Sequence, residues 1–217
     1  MKSKQSGFTL VEIAIVLVII GLLLGGVLKG QEMIAGAKVK ALANEIKGVQ
    51  TMFFAYQDKF HAVPGDDAKS ATNLPSAPAA ATGAGNGRID TGTWIGLAAP
   101  DVASKSSLFW QQVRLAGLAN GDATSGQATN AVGGKLGITS NTARVTTPAN
   151  VTGTTAICSS GIEGKLARQL DYALDDGVAT TGSVFAAVEA TAGTPIAAAT
   201  AAAVYVDTSV YTVCMVF

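Results

Sequence analysis

Glu12 is a carboxylic acid set inside a long apolar run, Gly7 to Leu28, GFTLVEIAIVLVIIGLLLGGVL. About 20 apolar residues are enough to cross a bilayer as one helix. An acid in such a segment is costly and calls for a partner of opposite charge. Ahead of the run stands a basic leader, MKSKQSG, with Lys2 and Lys4. A secretory signal is cut behind its apolar core, after small residues. Here the small pair, Ser6-Gly7, lies in front of the core, and no such site follows Leu28. Cutting after Gly7 would remove the leader, keep the helix and leave a cationic amine on Phe8. Glu12 of one chain could then pair with the Phe8 amine of a neighbour in the membrane, which would set subunit register.

Other reactive side chains are sparse. The two cysteines, Cys158 and Cys214, form an even pair downstream of an export segment and read as one disulfide. The loop it closes, about 55 residues, corresponds to roughly 4 kcal/mol in the chain-entropy picture. A metal reading of these cysteines is poor, since there is no CxxC and His61 is the one histidine. Beside a turn, His61 reads as a surface contact rather than a general base. Ser159-Ser160-Gly161 reads as a turn without a nucleophile-elbow context. No phosphate-cradling loop is present, and no enzyme is expected.

Three acidic spots remain. Asp66-Asp67 and Asn86-Gly87-Arg88-Ile89-Asp90 are explained by turn chemistry better than by a calcium loop. Asp175-Asp176 closes a helix-like segment at the end where acids oppose the macrodipole. Those two are the weak candidates for a calcium ion, and a solvated turn is the competing reading.

The elements that hold these residues begin with the helix. Beyond Leu28, Val39, Leu42, Ile46, Val49, Phe53, Tyr56 and Phe60 fall at alternating spacings of three and four, the seam of an amphipathic helix. Lys38, Lys40, Glu45, Lys47 and Gln50 lie off that seam. A helix from Phe8 to Phe60 is roughly 80 Å long, and Pro64-Gly65 is expected to end it. Residues 61–105 read as loop. Ser104 to Gly117 reads as a serine-capped helix and Ile162 to Asp175 as another, from the recurrence of Ile162, Leu166, Leu170 and Leu174. Strands are expected at Lys135 to Ile138, Ala143 to Thr147, Gly182 to Val188, Ala202 to Val206 and Val210 to Phe217. A hairpin loop is expected around Thr191 to Pro195. A long helix followed by antiparallel strands is an α+β head on a stalk.

The chain has 217 residues, with 15 basic and 15 acidic side chains and a formal net charge of zero. There is no basic surplus to capture nucleic acid or an anionic membrane surface.

The run Gly7-Phe8-Thr9-Leu10-Val11-Glu12, with its basic leader and apolar tail, resembles the processing motif of type IV prepilins and type II secretion pseudopilins. In that family a membrane peptidase cuts after the glycine and methylates the new amino terminus, here Phe8, and the family's glutamate falls on Glu12. The resemblance implies a leader at 1–7, a membrane and filament-core half-helix at 8–37 and a periplasmic head at 38–217. It implies the same α+β architecture, with the second half of the helix packed on an antiparallel sheet, and a disulfide-closed C-terminal loop. Expected partners are copies of the chain and other pilins, a prepilin peptidase, an inner-membrane platform protein and an assembly ATPase. The subunit would wait in the inner membrane, head in the periplasm, before joining a filament. The implied roles are a pilus subunit or, alternatively, a secretion pseudopilin or a minor pilin with an adhesive or DNA-binding head. Some pseudopilins bind calcium in their C-terminal region. Where many members carry a proline this chain has Lys29, and Gly25-Gly26 is the expected soft point.

Overall fold

The computed structural model describes residues 9–76, 78–140, 145–146, 153–190, 199–200 and 204–217. One helix, α1, runs from Leu10–Phe60 without interruption, through Gly25-Gly26 and Lys29. The chain separates into two compact units, Met1–Ala37 and Lys38–Phe217.

In the first unit the helix has no inward face. Leu10, Val11, Leu17, Leu22, Leu23 and Leu28 are all exposed. A helix that is apolar all round is stable only when something other than water covers it.

In the second unit the seam is buried as its spacing requires. Val39, Leu42, Ile46, Val49, Phe53 and Tyr56 are all buried, with Ala43 beside them. The helix ends at Phe60 as expected, but the stop is made before Pro64-Gly65 is reached. There His61 takes a left-handed φ of 53° and donates its amide to the Gln57 carbonyl. That is a left-handed C-cap occupied by a side chain tolerated there, with proline following soon after.

After α1 the chain makes a four-residue helix, α2 (Ser70–Asn73), and then α3 (Lys105–Leu115). The Ser104 hydroxyl caps α3 by accepting the Ser107 amide, and Gly117, at φ 73°, leaves it. Leu108, Phe109, Trp110 and Val113 are buried. The stretch between α1 and α3 is irregular but packed: Val63, Leu74, Ala81, Ile89 and Trp94 all lie in the core.

The described residues hold seven strands, in chain order β1 (Ala128–Thr129), β2 (Lys135–Thr139), β3 (Val145–Thr146), β4 (Ala156–Glu163), β5 (Val184–Val188), β6 (Ala199–Thr200) and β7 (Val210–Val216). Five of them form one antiparallel sheet in the order β1-β2-β4-β7-β5. β3 and β6 form a separate short parallel pair. α4 (Gly164–Leu174) follows β4 directly.

Two sequence expectations fail here for one reason. Ser159-Ser160-Gly161 is not a turn, and Ile162 does not start a helix; all four belong to β4, near the middle of the sheet. β4 carries a bulge between Ser159 and Ile162, with Gly161 at φ 74°. The polar groups of the bulge are answered locally. Asn130 Nδ2 donates to Ser159 Oγ and to the Ser160 carbonyl, and Ser160 Oγ accepts the Lys135 amide. A strand built from satisfied polar residues shows no apolar alternation. The expected strand at Ala202 to Val206 also fails: residues 204–206 lie in no strand, and 201–203 fall outside the described residues. The hairpin loop at Thr191 to Pro195 falls outside them as well.

β7 pairs on both sides and is buried on both faces. Phe217, in step with Tyr211, Val213 and Met215, meets Phe53 of α1 edge-on, centroids 5.4 Å apart. The opposite face carries Cys214 and Val216, packed with Ala156, Cys158, Phe185, Ala187 and Trp94. Across the strands the register reads Gly137, Cys158, Cys214, Phe185 in one row. Gly137 lies under the Trp94 backbone, and a Cβ there would sit 1.8 Å from its carbonyl oxygen. Gly137→Ala must therefore lift the Trp94 segment off the sheet. We expect a loss of about 2–3 kcal/mol, measured by denaturant melting; an unchanged midpoint would show that the segment yields freely.

Candidate processing and assembly segment

Gly7 and Phe8 lie outside the described residues, so the geometry begins at Thr9. Thr9 and Glu12 bind each other reciprocally. The Thr9 amide donates to Glu12 Oε2 at 2.8 Å, the Thr9 hydroxyl donates to the same oxygen at 2.7 Å, and the Glu12 amide donates to Thr9 Oγ1 at 3.3 Å. This is a capping box, with threonine at the cap and glutamate three residues on. Within one chain Glu12 thus closes the start of its own helix, a role the sequence reading missed. The signal was present in the T-x-x-E spacing.

Among the described residues this helix offers the best candidate for a membrane span, with a mean hydropathy of 2.8 and none of that window buried. Gly21, Gly25, Gly26, Gly30 and Gly36 each have open space where a Cβ would stand. Among the described residues nothing requires those glycines. Small residues at such positions let another helix come close. Lys29 pairs with Glu32 at 2.7 Å in the open, an arrangement of little energetic weight.

The head is held by two devices of different origin. The first is the Cys158–Cys214 disulfide, which joins directly opposed residues of β4 and β7 whose Cα atoms are 4.0 Å apart. The second is a buried ion cluster that the sequence reading did not find. Lys105 Nζ meets Asp66 Oδ1 at 2.8 Å and Asp90 Oδ1 at 2.7 Å, with the Lys105 side chain 1% and that of Asp66 2% exposed. Burial alone would push the Lys105 ammonium down, but the hydrogen bonds and charges of Asp66 and Asp90 outweigh it and hold it up. The Lys105 hydrogen bond, in turn, holds Asp90 below the usual carboxylate range. Asp66 also accepts the Gly85 and Gly87 amides, and Asp67 accepts the Tyr56 hydroxyl and the Lys69 amide. Turn chemistry therefore accounts for part of Asp66-Asp67. The buried lysine, which comes from a helix 39 positions on in the sequence, has no local signature.

Asp175 and Asp176 sit beyond the end of α4 with their oxygens committed to the next turn. Asp175 accepts the Ser183 and Val184 amides, and Asp176 accepts the Val178 amide and the Thr181 hydroxyl. Among the described residues no group of three or more His, Cys, Asp or Glu is placed to hold a metal ion. His61 is exposed at the end of α1.

One α4 acid is buried. Asp171 accepts the Tyr205 hydroxyl at 2.6 Å and the Gly177 amide at 3.2 Å. Burial pushes its carboxyl up; those two hydrogen bonds oppose this, and the nearby Asp175 and Asp176 charges add to it. Burial likewise raises Glu45, against the Ala131 amide it accepts. A carboxyl raised in the folded state binds its proton more tightly there than when unfolded. Its contribution is complete below the unfolded value and is lost as pH rises through the folded one. Asp90 runs the other way and loses its contribution as pH falls through its depressed value. Mild acidification from neutrality should therefore raise the melting temperature, and stronger acid should reverse the gain. Asp171→Asn should flatten the first limb in a thermal melt followed across pH.

Residues 2–28 match the family model described as the prokaryotic N-terminal methylation motif. No curated protein and no solved structure matches the chain.

Proposed function

We propose that this chain, whose first residues carry the methylation motif that marks type IV pilins and pseudopilins, is the structural subunit of a type IV pilus. A prepilin peptidase cuts after Gly7 and methylates Phe8. The subunit waits in the inner membrane with its head in the periplasm. A platform protein and an assembly ATPase then draw it into a helical polymer. The observation that carries this reading is the helix itself. From Ile13 to Leu28 it is apolar on every side, with glycines that the described residues leave uncovered. Such a surface is satisfied first by lipid and then by copies of itself.

The pilus is favoured over the secretion pseudopilin by the head. Resemblance assigns type IV pilins a disulfide-closed C-terminal loop, and Cys158–Cys214 supplies one. It assigns calcium to some pseudopilins, whereas Asp175 and Asp176 here bind their own backbone. The head acts without a cofactor and without turnover. Added calcium should leave its melting temperature unchanged, and a clear rise would move the assignment toward the pseudopilins.

The test is electron microscopy of sheared surface fibres, with mass spectrometry of their main band. Fibres made of this chain, beginning at methylated Phe8 and lost on deletion while secretion continues, are the expected result. Retained fibres with lost exoprotein release would replace the pilus with the secretion piston. Retained fibres with this chain only in traces would make it a minor subunit.

A further inference from the structure

The Lys105 cluster holds more than an ion pair. An ammonium has three hydrogens to place, and a third acceptor stands ready: Asn86 Oδ1 lies 3.0 Å from Lys105 Nζ. Asp90 closes the ring. Its Oδ1 takes Lys105 Nζ at 2.7 Å, while its Oδ2 accepts from Asn86 Nδ2 at 2.8 Å. One carboxylate therefore touches both the amine and the amide nitrogen.

We propose that Lys105 and Asn86 are the precursors of an intramolecular isopeptide bond, with Asp90 as the proton carrier between them. Asp90 takes a proton from Lys105 Nζ. The freed amine adds to Asn86 Cγ. Asp90 returns the proton to Nδ2, the Cγ–Nδ2 bond breaks and ammonia leaves; as the Cγ–Nζ amide forms, Asp90 takes the second proton from Nζ and passes it to the departing ammonia, which goes as ammonium. A primary amine and a primary amide become a secondary amide and ammonia, with no oxidant, metal or cofactor. Fixed proximity turns an otherwise bimolecular aminolysis into a unimolecular step, and the bridging carboxylate supplies general acid–base help. At rest the Asp66 and Asp90 contacts keep Lys105 charged, so proton transfer to Asp90 is the uphill step, and burial at Lys105 offsets part of its cost by replacing two charges with two neutral groups.

Asp66 has a separate part as a positioning residue. Its Oδ1 holds Lys105 Nζ, and its Oδ2 accepts the Gly87 amide at 2.6 Å. That amide is the nucleophile that would otherwise cyclise on Asn86 in an Asn-Gly pair and expel ammonia as a succinimide. With the Gly87 N–H held by Asp66, Lys105 is the competing nucleophile within reach. The product ties the 86–90 turn to the first residue of α3.

The experiment is a tryptic peptide map of the full chain, purified in detergent and read by mass spectrometry. The expected species is a branched peptide joining 70–88 to 89–114, one ammonia lighter than their sum and uncut after Lys105. Cleavage after Lys105 with peptide 70–88 recovered free would overturn the proposal. So would an ammonia-light peptide 70–88 on its own, the mark of a succinimide. Lys105→Arg and Asp90→Asn should each yield unlinked peptides, while the Cys158–Cys214 cross-link in the same digest reports that the head has folded. Full linkage in Asp90→Asn would remove the proton carrier and with it the mechanism.

Discussion

The Cys158→Ser/Cys214→Ser chain should lose on the order of 4 kcal/mol of head stability. The cross-link spans a sequence separation of 56 and joins β4 to β7 at directly opposed positions. Without it the unfolded head regains the freedom of that whole loop. A second cost comes from the site. Both sulfurs lie in a fully buried row with Gly137 and Phe185, beside Trp94, so two hydroxyls would enter an apolar layer. A domain whose total stability does not exceed this loss would be largely unfolded at growth temperature. Denaturant titration of the full chain in detergent measures the loss. A midpoint equal to wild type would mean that sheet pairing alone carries the head.

Glu12→Gln is the second large effect, and it separates two roles of one residue. Within a chain, Glu12 closes a capping box with Thr9. Glutamine serves that box almost as well as glutamate, so the helix start should survive. The charge does not survive, and with it would go the expected pairing with a neighbour's Phe8 amine. Surface fibres should disappear while the membrane-inserted subunit persists at normal abundance. Normal fibres from Glu12→Gln would show that the cap, not the charge, is what assembly requires. Thr9→Val supplies the converse: the helix start loses about 1 kcal/mol and the acid remains free for its neighbour. Reciprocity between Thr9 and Glu12 also suggests an order of events. An acid held by its own helix is partly satisfied until an incoming amine displaces the threonine hydroxyl.

The parts of the fold that were legible in the sequence are those whose physics is local. The seam from Val39 to Tyr56 is a helical period, and the helix delivers it to the core unchanged. Ser104, Gly117 and the apolar residues between them mark α3 because capping acts over three or four residues. β7 alternates and is a strand, though both of its faces prove buried. β4 was misread because its identity is decided at a distance. Ser159, Ser160 and Gly161 look like a turn until Asn130 and Lys135 are brought against them. The four-residue recurrence from Ile162 to Leu174 joined a strand residue to a helix that begins at Gly164. Lys105 was hidden for the same reason: its partners Asp66 and Asp90 come from turns whose own residues explain them. Of the assembly segment, Glu12 stood out by composition alone, because an acid among aliphatics needs no fold to be conspicuous.

β7 follows every other strand in chain order, yet it lies inside the sheet between β4 and β5. β1, β2 and β4 can pair with one another, but β5 cannot join them while the β7 slot stands open. For a subunit exported as proposed, the sheet must remain incomplete until that late segment has been released by the ribosome and carried across the bilayer. On that reading Cys158 would emerge ahead of Cys214 and have to wait for it. In that interval the nascent head would present both flanks of the gap to any chaperone or oxidase on the far side, which would make arrival of β7 the event that commits the subunit to its final form.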